Sequence, residues 1–349
     1  MNVLFVISSS EIGGAQRWVK DQISMLKDAD VNIFLVTNQE GWLTTGGSEK
    51  CTIIFESRIS HFLSIFGLLN LIKIIKAQDI DLVIASSASA GVFSRLGSLI
   101  TSRRVIYVSH GWSALYRKGI LAPCYRLVET LLSRITDSIL CVSQADYDDG
   151  IKKLNIPIDR LELLSNKILL PSKHTYFTQS SLNKKIELLT VCRLAYPKRV
   201  DLLINAVRGL DLNLTIVGDG PQRDQLQKSS VGIENINFLG AVDGFSAFNE
   251  YDIFVLLSDS EGLPMSAIEA MGFGLPLLLS DVGGCQELVR FSNGFVVGDE
   301  INEIRTKLSE IIVNLPEMSR RSVELFQASY DLESCSKVYI DYYQRVISG

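Results

Sequence analysis

Residues 253–271 of this 349-residue chain read IFVLLSDSEGLPMSAIEAM. The apolar run at 253–257 has the length of a buried strand, a polar turn follows it, and the next stretch predicts a helix that begins around Pro264. Proline suits that place because its missing N–H has no partner in the first turn of a helix. A buried strand joined by a short turn to a helix is the repeating unit of α/β folds with parallel sheets.

The same unit recurs along most of the chain. Helices are predicted at 15–27, 90–100 and 121–135, and a polar stretch of weak periodicity at 171–185 predicts a linker before the rhythm restarts. The last fifty residues have helical patterns only. Strands are predicted at 3–7, 31–36, 82–85, 105–108, 138–142, 186–192, 214–217, 237–239, 253–257, 275–280 and 294–297.

This order predicts an α/β protein of two Rossmann-like, doubly wound parallel-sheet domains that face a cleft. We expect residues 1–170 to form the first domain and 186–330 the second, with a C-terminal helix at about 331–349 packing back on the first. Ligands of such folds bind at the carboxyl ends of the strands, so functional side chains are expected just after strands.

Composition and charge exclude several classes of protein. A chain that is 47% apolar and 21% charged is neither disordered nor of low complexity. The net charge of −5 argues against general nucleic-acid binding. The two halves differ in charge: residues 1–175 are weakly basic, with 19 Lys+Arg against 16 Asp+Glu, whereas residues 176–349 are acidic, with 15 against 23. The six cysteines form no C-x-x-C pair and the three histidines lie far apart, so neither a zinc site nor a disulfide framework is predicted.

The sequence gives no signal for export or for a membrane span. The longest nearly uncharged apolar stretch, 62–72, is shorter than the roughly 18 residues that a spanning helix needs. The first seven residues lack the basic region of a signal peptide and have the pattern of a strand. We therefore expect a cytoplasmic protein.

The turn before the helix at Pro264 has the features of an anion site. The backbone N–H groups of Gly262, Leu263 and Met265 and the helix dipole favour a phosphate there. Glu261 and Glu269 would flank that phosphate and accept hydrogen bonds from the hydroxyls of a sugar and a ribose. The alternative is that Glu261 only complements the helix dipole and Glu269 is a solvated helix residue.

Two cations follow another predicted strand. Arg193 and Lys198 stand between the strand at 186–192 and the next helix. Arginine holds phosphate oxygens in a bidentate manner and lysine acts as a point charge, so the pair suits a diphosphate leaving group. Basic loop residues are by themselves more often just solvated, but the anion site in the same half favours a functional role.

Glycines and a histidine also follow strands. Gly13 and Gly14 open a helix, where paired glycines let the backbone approach a ligand, and Gly218 begins a turn that lacks the third glycine of a dinucleotide-binding motif. A tight strand-to-helix turn is the alternative for both motifs. His110 follows the strand at 105–108 and is expected to contact a polar ligand, unless it is a structural histidine.

Together these motifs resemble those of glycosyltransferase family 4, which are retaining, nucleotide-sugar-dependent enzymes with the GT-B fold. The resemblance covers essentially the whole chain: residues 261–269 match the E-x7-E signature, and 193–198 match the R-L-x-x-x-K phosphate pair. Residues 86–95, SSASAGVFSR, resemble the S-S-x-A-G-x-x-x-R pattern of members that build bacterial surface polysaccharides, with one extra residue. Cys192 and Arg199 stand where this family often has glycine, which leaves donor preference open.

The resemblance implies that the first domain binds the acceptor and the second binds the donor. It gives catalytic roles to Arg193 and Lys198 at the departing diphosphate and to Glu261 and His110 at the donor sugar. It further implies donor-binding roles for Gly13, Gly14, Gly218, Gly262, Leu263, Pro264, Met265 and Glu269, and acceptor-side roles for Ser87, Arg95 and Trp112.

No metal or other cofactor is expected, because the D-x-D spacings at 28–30 and 79–81 precede strands, at the wrong end for a ligand site. Two segments have the composition of membrane-surface segments: 62–76, which is apolar with Lys73 and Lys76, and 112–118, which mixes aromatic and basic residues. For 62–76, a helix buried against the sheet is an equal alternative.

We therefore predict a retaining glycosyltransferase that moves a sugar from a nucleotide diphosphate donor, UDP foremost, to a glycan acceptor linked to polyprenyl diphosphate. Its expected partners are that donor, that acceptor and the cytoplasmic face of a membrane, and not nucleic acid. The alternatives are a nucleotide-sugar epimerase with the GT-B fold and a non-catalytic protein that binds a glycan or a nucleotide.

Overall fold

The computed structural model describes residues 1–27, 29–45, 51–61, 64–116, 122–170 and 185–349. The chain divides into two compact units: unit 1 comprises Met1–Asn166 and Leu332–Gly349, and unit 2 comprises Lys167–Asp331. Of the linker predicted at 171–185, all but Lys185 lies outside the described residues.

Unit 1 is built on a seven-stranded sheet in which every neighbouring pair of strands is parallel. The strand order is β3-β2-β1-β4-β5-β6-β7. The strands are β1 (Asn2–Val6), β2 (Asn32–Thr37), β3 (Cys51–Phe55), β4 (Leu82–Ala85), β5 (Arg104–Ser109), β6 (Ser138–Cys141) and β7 (Leu161–Leu163). The helices between them are α1 (Gly14–Leu26), α2 (Ile65–Ala77), α3 (Ala88–Thr101), α4 (Ser113–Tyr116), α5 (Ala122–Ser133) and α6 (Gln144–Leu154).

Unit 2 repeats this design with a six-stranded parallel sheet of order β10-β9-β8-β11-β12-β13. Its strands are β8 (Ile186–Val191), β9 (Leu212–Val217), β10 (Ile236–Gly240), β11 (Ile253–Leu256), β12 (Leu277–Ser280) and β13 (Gly294–Val297). Its helices are α7 (Val200–Val207), α8 (Arg223–Ser229), α9 (Met265–Gly272), α10 (Ile301–Val313) and α11 (Leu315–Ser329).

The predicted fold class, two doubly wound parallel sheets, is confirmed, and each predicted strand overlaps an observed one. The sequence reading missed β3 and β7, which are the two edge strands of the unit 1 sheet. β3 has no fully buried residue and β7 has only three residues, one of them buried. An edge strand pairs on one side only, so it lacks the continuous buried apolar run that marks β4 or β11.

The last helix, α12 (Leu332–Ser348), belongs to unit 1 although it follows unit 2 in the chain. Three of its tyrosines are buried and hydrogen-bonded there. The hydroxyl of Tyr343 donates to Gln22 Oε1 at 2.8 Å, that of Tyr339 donates to the Ser165 carbonyl at 3.2 Å, and that of Tyr342 lies 2.7 Å from Ser138 Oγ. A buried tyrosine needs a partner for its hydroxyl, so these bonds fix where the helix packs.

In both sheets the strand order reverses beside the first strand, between β1 and β4 in unit 1 and between β8 and β11 in unit 2. The loops that leave two such adjacent strands diverge to opposite sides and leave room for a ligand at the carboxyl edge.

Among the helices that the structure describes, none combines the length and the apolar character needed to cross a membrane.

Gly218 allows two loops at the carboxyl edge of the unit 2 sheet to touch through their backbones. Its φ is +136°, and a Cβ on it would lie 1.8 Å from the carbonyl oxygen of Cys192. Next to this contact, the Leu194 N–H donates a hydrogen bond to the Asp219 carbonyl at 2.9 Å, which joins the same two loops. A side chain at Gly218 would therefore push away the loop that carries Arg193.

We predict that Gly218→Ala lowers the free energy of unfolding by more than about 3 kcal/mol, because a Cβ here combines backbone strain with a backbone clash. Gly232→Ala is the matched control: its φ is +80°, but no heavy atom lies within 4 Å of the added Cβ. Strain alone should cost the control about 1 kcal/mol. Urea unfolding measures both values, and equal losses would contradict the assigned role of the close approach.

Candidate active site

The centre of the unit 2 site is an ion pair between Lys198, in the loop after β8, and Glu261, in the loop after β11. Lys198 Nζ donates directly to Glu261 Oε1, although the two residues lie 63 positions apart. A backbone bridge between Lys198 and Ser258 joins the same two loops. The side chains are only 18% and 9% exposed, so the pair is held in a setting that screens charge weakly.

The surroundings of the pair favour a charged lysine. Burial is the largest single influence on the pKa of Lys198 and lowers it, but the charge and hydrogen bond of Glu261, with smaller contributions from Cys192 and Cys285, together shift the pKa upward. Both charges of the pair act on the pKa values of the Cys192 and Cys285 thiols: Lys198 lowers them and Glu261 raises them. Burial raises the pKa of Cys192 to about 11 and that of Cys285 further, so both thiols stay neutral beside the pair at physiological pH.

Two glycines that the sequence reading did not single out hold the backbone of Glu261. Gly283 has a φ of +52°, and a Cβ on it would lie 1.8 Å from the Glu261 carbonyl oxygen. The N–H of Gly284 donates to the Gly262 carbonyl at 2.8 Å. Both glycines follow β12, the neighbour of β11, and a glycine pair just after an apolar run was the signal that could have found them.

The helix predicted at Pro264 is α9, and it begins one residue later, at Met265. Pro264 is its N-cap residue, with a φ of −68° and an extended ψ of 117°. The N–H groups of Ala267 and Ile268 both donate to the Pro264 carbonyl, so the amides of Met265 and Ser266 precede the first intrahelical bonds. Gly262 and Leu263 lie in the turn before the helix, and Glu269 lies just over one turn inside it.

Arg193 contributes a second cation to the same loop as Lys198. Its side chain is exposed, and among the described residues no carboxylate pairs with it. The loop thus holds one enclosed lysine that is paired and one arginine that is open to solvent. Cations and the amides at the start of a helix are the kinds of group that suit an anion.

The unit 1 residues that the sequence reading singled out gather where β1, β4 and β5 end. Ser86 Oγ lies 2.7 Å from His110 Nε2, and Ser87 Oγ accepts a hydrogen bond from the Ser8 N–H at 3.1 Å. The ring of His110 packs edge-on against Trp18, with 5.5 Å between ring centroids. Burial lowers the pKa of His110 to about 4, so the imidazole is neutral at physiological pH.

Gly13 and Gly14 open α1 in this region, as predicted, with Gly13 as the N-cap residue. The φ of Gly13 is −175°, which any residue adopts. A Cβ on Gly13 would meet Gln16 Oε1, the end of a flexible side chain, at 2.5 Å. The fold itself therefore requires glycine less strictly at this position than at Gly218.

Arg95 and Trp112, for which the resemblance implies acceptor-side roles, make contacts inside unit 1. Both side chains are buried: Arg95 Nη1 donates to Glu129 Oε1 at 2.6 Å, and Trp112 Nε1 donates to the Asp146 carbonyl at 2.6 Å. The Arg95 guanidinium also stacks over Tyr107 at 4.2 Å. Their polar groups are occupied inside unit 1, which leaves neither side chain exposed to an acceptor.

The structure describes both acidic side chains of only one of the two D-x-D spacings. Among the described residues, no three His, Cys, Asp or Glu side chains are grouped so that they could hold a metal ion. In the D-x-D spacing at 79–81, Asp79 pairs with Arg103 at 2.8 Å and Asp81 accepts from the Asn2 N–H at 2.8 Å. Asp28 of the other spacing lies outside the described residues.

We predict that His110 makes unfolding depend on pH in a defined window. The pKa of His110 is lower in the folded protein than in the unfolded chain, where it is about 6.5. As pH falls below that value, the unfolded chain takes up the proton first, so the free energy of unfolding decreases until the pH reaches about 4. At pH 5 the decrease amounts to about 2 kcal/mol.

The measurement compares urea unfolding at pH 7 and pH 5. His110→Gln should lose this part of the pH dependence, and the exposed His61 supplies the matched control, His61→Gln, which should keep it. If His110→Gln changes with pH as the unmodified protein does, the imidazole is not the group that titrates.

Comparison with known proteins supports the interpretation of both units. The family described as Glycosyltransferase Family 4 matches residues 12–168, and that described as Glycosyl transferases group 1 matches residues 185–314. The O-antigen biosynthesis glycosyltransferase WbnH of Escherichia coli is 42% identical over 311 residues, which cover 89% of this chain and 90% of that protein.

Two further proteins are more distant. The UDP-Gal:alpha-D-GlcNAc-diphosphoundecaprenol alpha-1,3-galactosyltransferase of Escherichia coli is 22% identical over 329 residues, covering 86% of this chain and 84% of that protein. The crystal structure of Anabaena Alr3699/HepE in complex with UDP-glucose matches the fold with a TM-score of 0.82 at 18% identity, covering 99% and 100% of the two chains. This chain therefore belongs to glycosyltransferase family 4, as a GT-B-fold glycosyltransferase of bacterial surface-polysaccharide biosynthesis.

Proposed function

We propose that this glycosyltransferase transfers a sugar from a UDP-sugar to a glycan linked to polyprenyl diphosphate, with retention of the anomeric configuration and without a metal ion. The observation that carries the proposal is the enclosed Lys198–Glu261 pair beside the start of α9. It puts a cation and a carboxylate next to the first amides of α9, which precede the intrahelical bonds, so one small region has groups for a phosphate and for sugar hydroxyls.

The chemistry follows from where charge develops. When the bond between the sugar and the diphosphate breaks, negative charge grows on the departing phosphate oxygens while the sugar becomes electron-poor. Positioned cations and amide dipoles stabilise that charge without having to reorganise. Lys198, Arg193 and the amides of Met265 and Ser266 are the groups of unit 2 that we assign to this task.

We assign the two members of the Lys198–Glu261 pair to two different parts of the donor. A diphosphate that arrives at Lys198 competes with the Glu261 carboxylate for the ammonium hydrogens. The carboxylate that this releases is an acceptor for sugar hydroxyls, which is the role proposed for Glu261. Glu269 is assigned to the ribose, and neutral His110 of unit 1 to a polar contact with the donor sugar.

The relatives support the proposed donor and acceptor. The galactosyltransferase relative is named for a UDP-Gal donor and a diphosphoundecaprenol-linked acceptor, and the structure of Alr3699/HepE holds UDP-glucose. An acceptor of that kind lies in a membrane, so the proposal includes contact with the cytoplasmic face of a membrane. The identity of the sugar depends on the pocket side chains that meet its hydroxyls.

The proposal predicts release of UDP that depends on the acceptor. Purified protein is incubated with a panel of UDP- and GDP-sugars, with and without a short-chain sugar-diphospholipid, and the anomeric configuration of the product is read by NMR. We expect UDP only when the acceptor is present, an unchanged rate after EDTA treatment, and a product with the configuration of the donor. Conversion of the donor without an acceptor would instead assign an epimerase, and binding without turnover would assign a non-catalytic protein.

We predict that Lys198→Ala and Glu261→Ala each lower kcat at least about tenfold, the equivalent of about 1.4 kcal/mol of transition-state stabilisation. Removing one partner of an enclosed pair also destabilises the fold, so the melting temperature of each variant is measured beside its kcat. Lys307→Ala is the matched control, because Lys307 forms a more exposed pair with Glu310 on α10. Unchanged kcat in both site variants would contradict the assigned roles.

A further inference from the structure

One layer of helices on unit 1 exposes an apolar face. α2 and α3 pack together, since a Cβ on Gly97 of α3 would lie 3.6 Å from Ile75 and 3.8 Å from Ile72 of α2. The ion pair between Arg95 of α3 and Glu129 of α5 joins α5 to the same layer. Exposed apolar side chains occur on all three helices of the layer, with Leu99 and Ile100 on α3. Those of α2 and α5, which we call the apolar helix face, are Ile65, Phe66, Leu69, Leu127, Val128 and Leu131.

The residues of this face are well exposed. The exposed fraction is 64% for Phe66 and 59% for Leu127. On α2 the opposite side of the helix is buried in the core through Leu71, Ile72 and Ile75. The helix is therefore apolar on both sides, which a helix covering a sheet in water does not require.

The charges around the apolar helix face are almost all positive. α2 has Lys73 and Lys76 exposed and contains no acidic residue, and Arg126 of α5 is exposed beside Leu127. The only acid within α2, α3 and α5 is Glu129, which is used by the buried Arg95. Next to α2, Glu56 accepts from Asn70 and Asp79 pairs with Arg103, so these acids are also engaged.

Other helices of unit 1 have a different surface. α6 carries alternating charges that pair within the helix, Asp148 with Lys152 and Asp149 with Lys153. α12 likewise mixes Glu333, Lys337, Asp341 and Arg345. Among the described residues of unit 1, the combination of exposed apolar side chains with cations that have no acidic partner is thus a property of the α2–α3–α5 layer and not of the other helices.

We propose that the apolar helix face docks on the surface of a bilayer that contains anionic phospholipids. Apolar side chains enter the boundary between headgroups and acyl chains, and flanking lysine and arginine residues pair with lipid phosphates. The charge pattern favours this occupant over a second copy of the chain, because a like-charged face would repel itself. The inference rests on the proposed function, because an acceptor linked to a lipid is reached at a membrane surface.

The test is co-sedimentation of the full-length protein with vesicles of phosphatidylethanolamine and phosphatidylglycerol, compared with vesicles of phosphatidylcholine alone. We expect binding to the anionic vesicles that weakens with salt. The double variant Phe66→Gln/Leu127→Gln and the double variant Lys73→Gln/Lys76→Gln should each lower the partition coefficient by at least about tenfold. Val313→Gln is the control for apolar loss, because Val313 is 80% exposed on α10 of unit 2, and Lys337→Gln is the control for charge.

The outcomes separate this inference from the proposed function. The same variants are assayed for transfer to a short-chain acceptor free in solution, where the proposed function requires activity and docking plays no part. Active variants that bind anionic vesicles as tightly as the unmodified protein would overturn the docking surface and leave the function standing. Vesicle binding that is lost only in the face variants, in a protein without transferase activity, would support the surface and overturn the function. A dimer that Phe66→Gln/Leu127→Gln abolishes would assign the face to a second copy and overturn the inference.

Discussion

Parallel pairing of β8 with β11 is the constraint on which the rest of the unit 2 site depends. The register aligns Ile253 with Leu188 and Phe254 with Leu189, so the two strands deliver their following loops to one edge of the sheet. Lys198 and Glu261 meet there despite their separation in the chain. An ion pair with so little solvent around it persists only where its partners are held in place, and the fully buried strand β11 supplies that rigidity.

Close backbone contacts around this edge explain why glycines cluster near it. Gly218 touches the carbonyl of Cys192, and Gly283 touches the carbonyl of Glu261. Each contact sets the path of a loop that carries one of the assigned charges. The precision of the site is therefore built into backbone that has no room for a Cβ, and the functional side chains extend from it.

The two units have similar topology, but the charge at the carboxyl edge of the sheet differs between them. In unit 2 the site concentrates charge, with a lysine whose pKa is raised beside its carboxylate partner. In unit 1 the comparable edge holds a histidine whose pKa is lowered to about 4 by burial, next to the hydroxyl of Ser86. A neutral imidazole suits hydrogen bonding to hydroxyl groups, whereas a charged pair suits a phosphate group.

The sequence by itself determined the number of doubly wound sheets, their central strands and the loops that carry Lys198, Glu261 and His110, because buried parallel strands and the turns after them leave local patterns. It could not assign β3 and β7, whose exposed edges lack such patterns, nor the internal contacts of Arg95 and Trp112. The S-S-x-A-G-x-x-x-R pattern shows why. Gly91 and Arg95 both pack on Tyr107 of β5, so residues that resemble a ligand motif are held by a contact that no local spacing reveals. Tertiary structure alone decided which cations are engaged and which are open, since that depends on partners from distant parts of the chain.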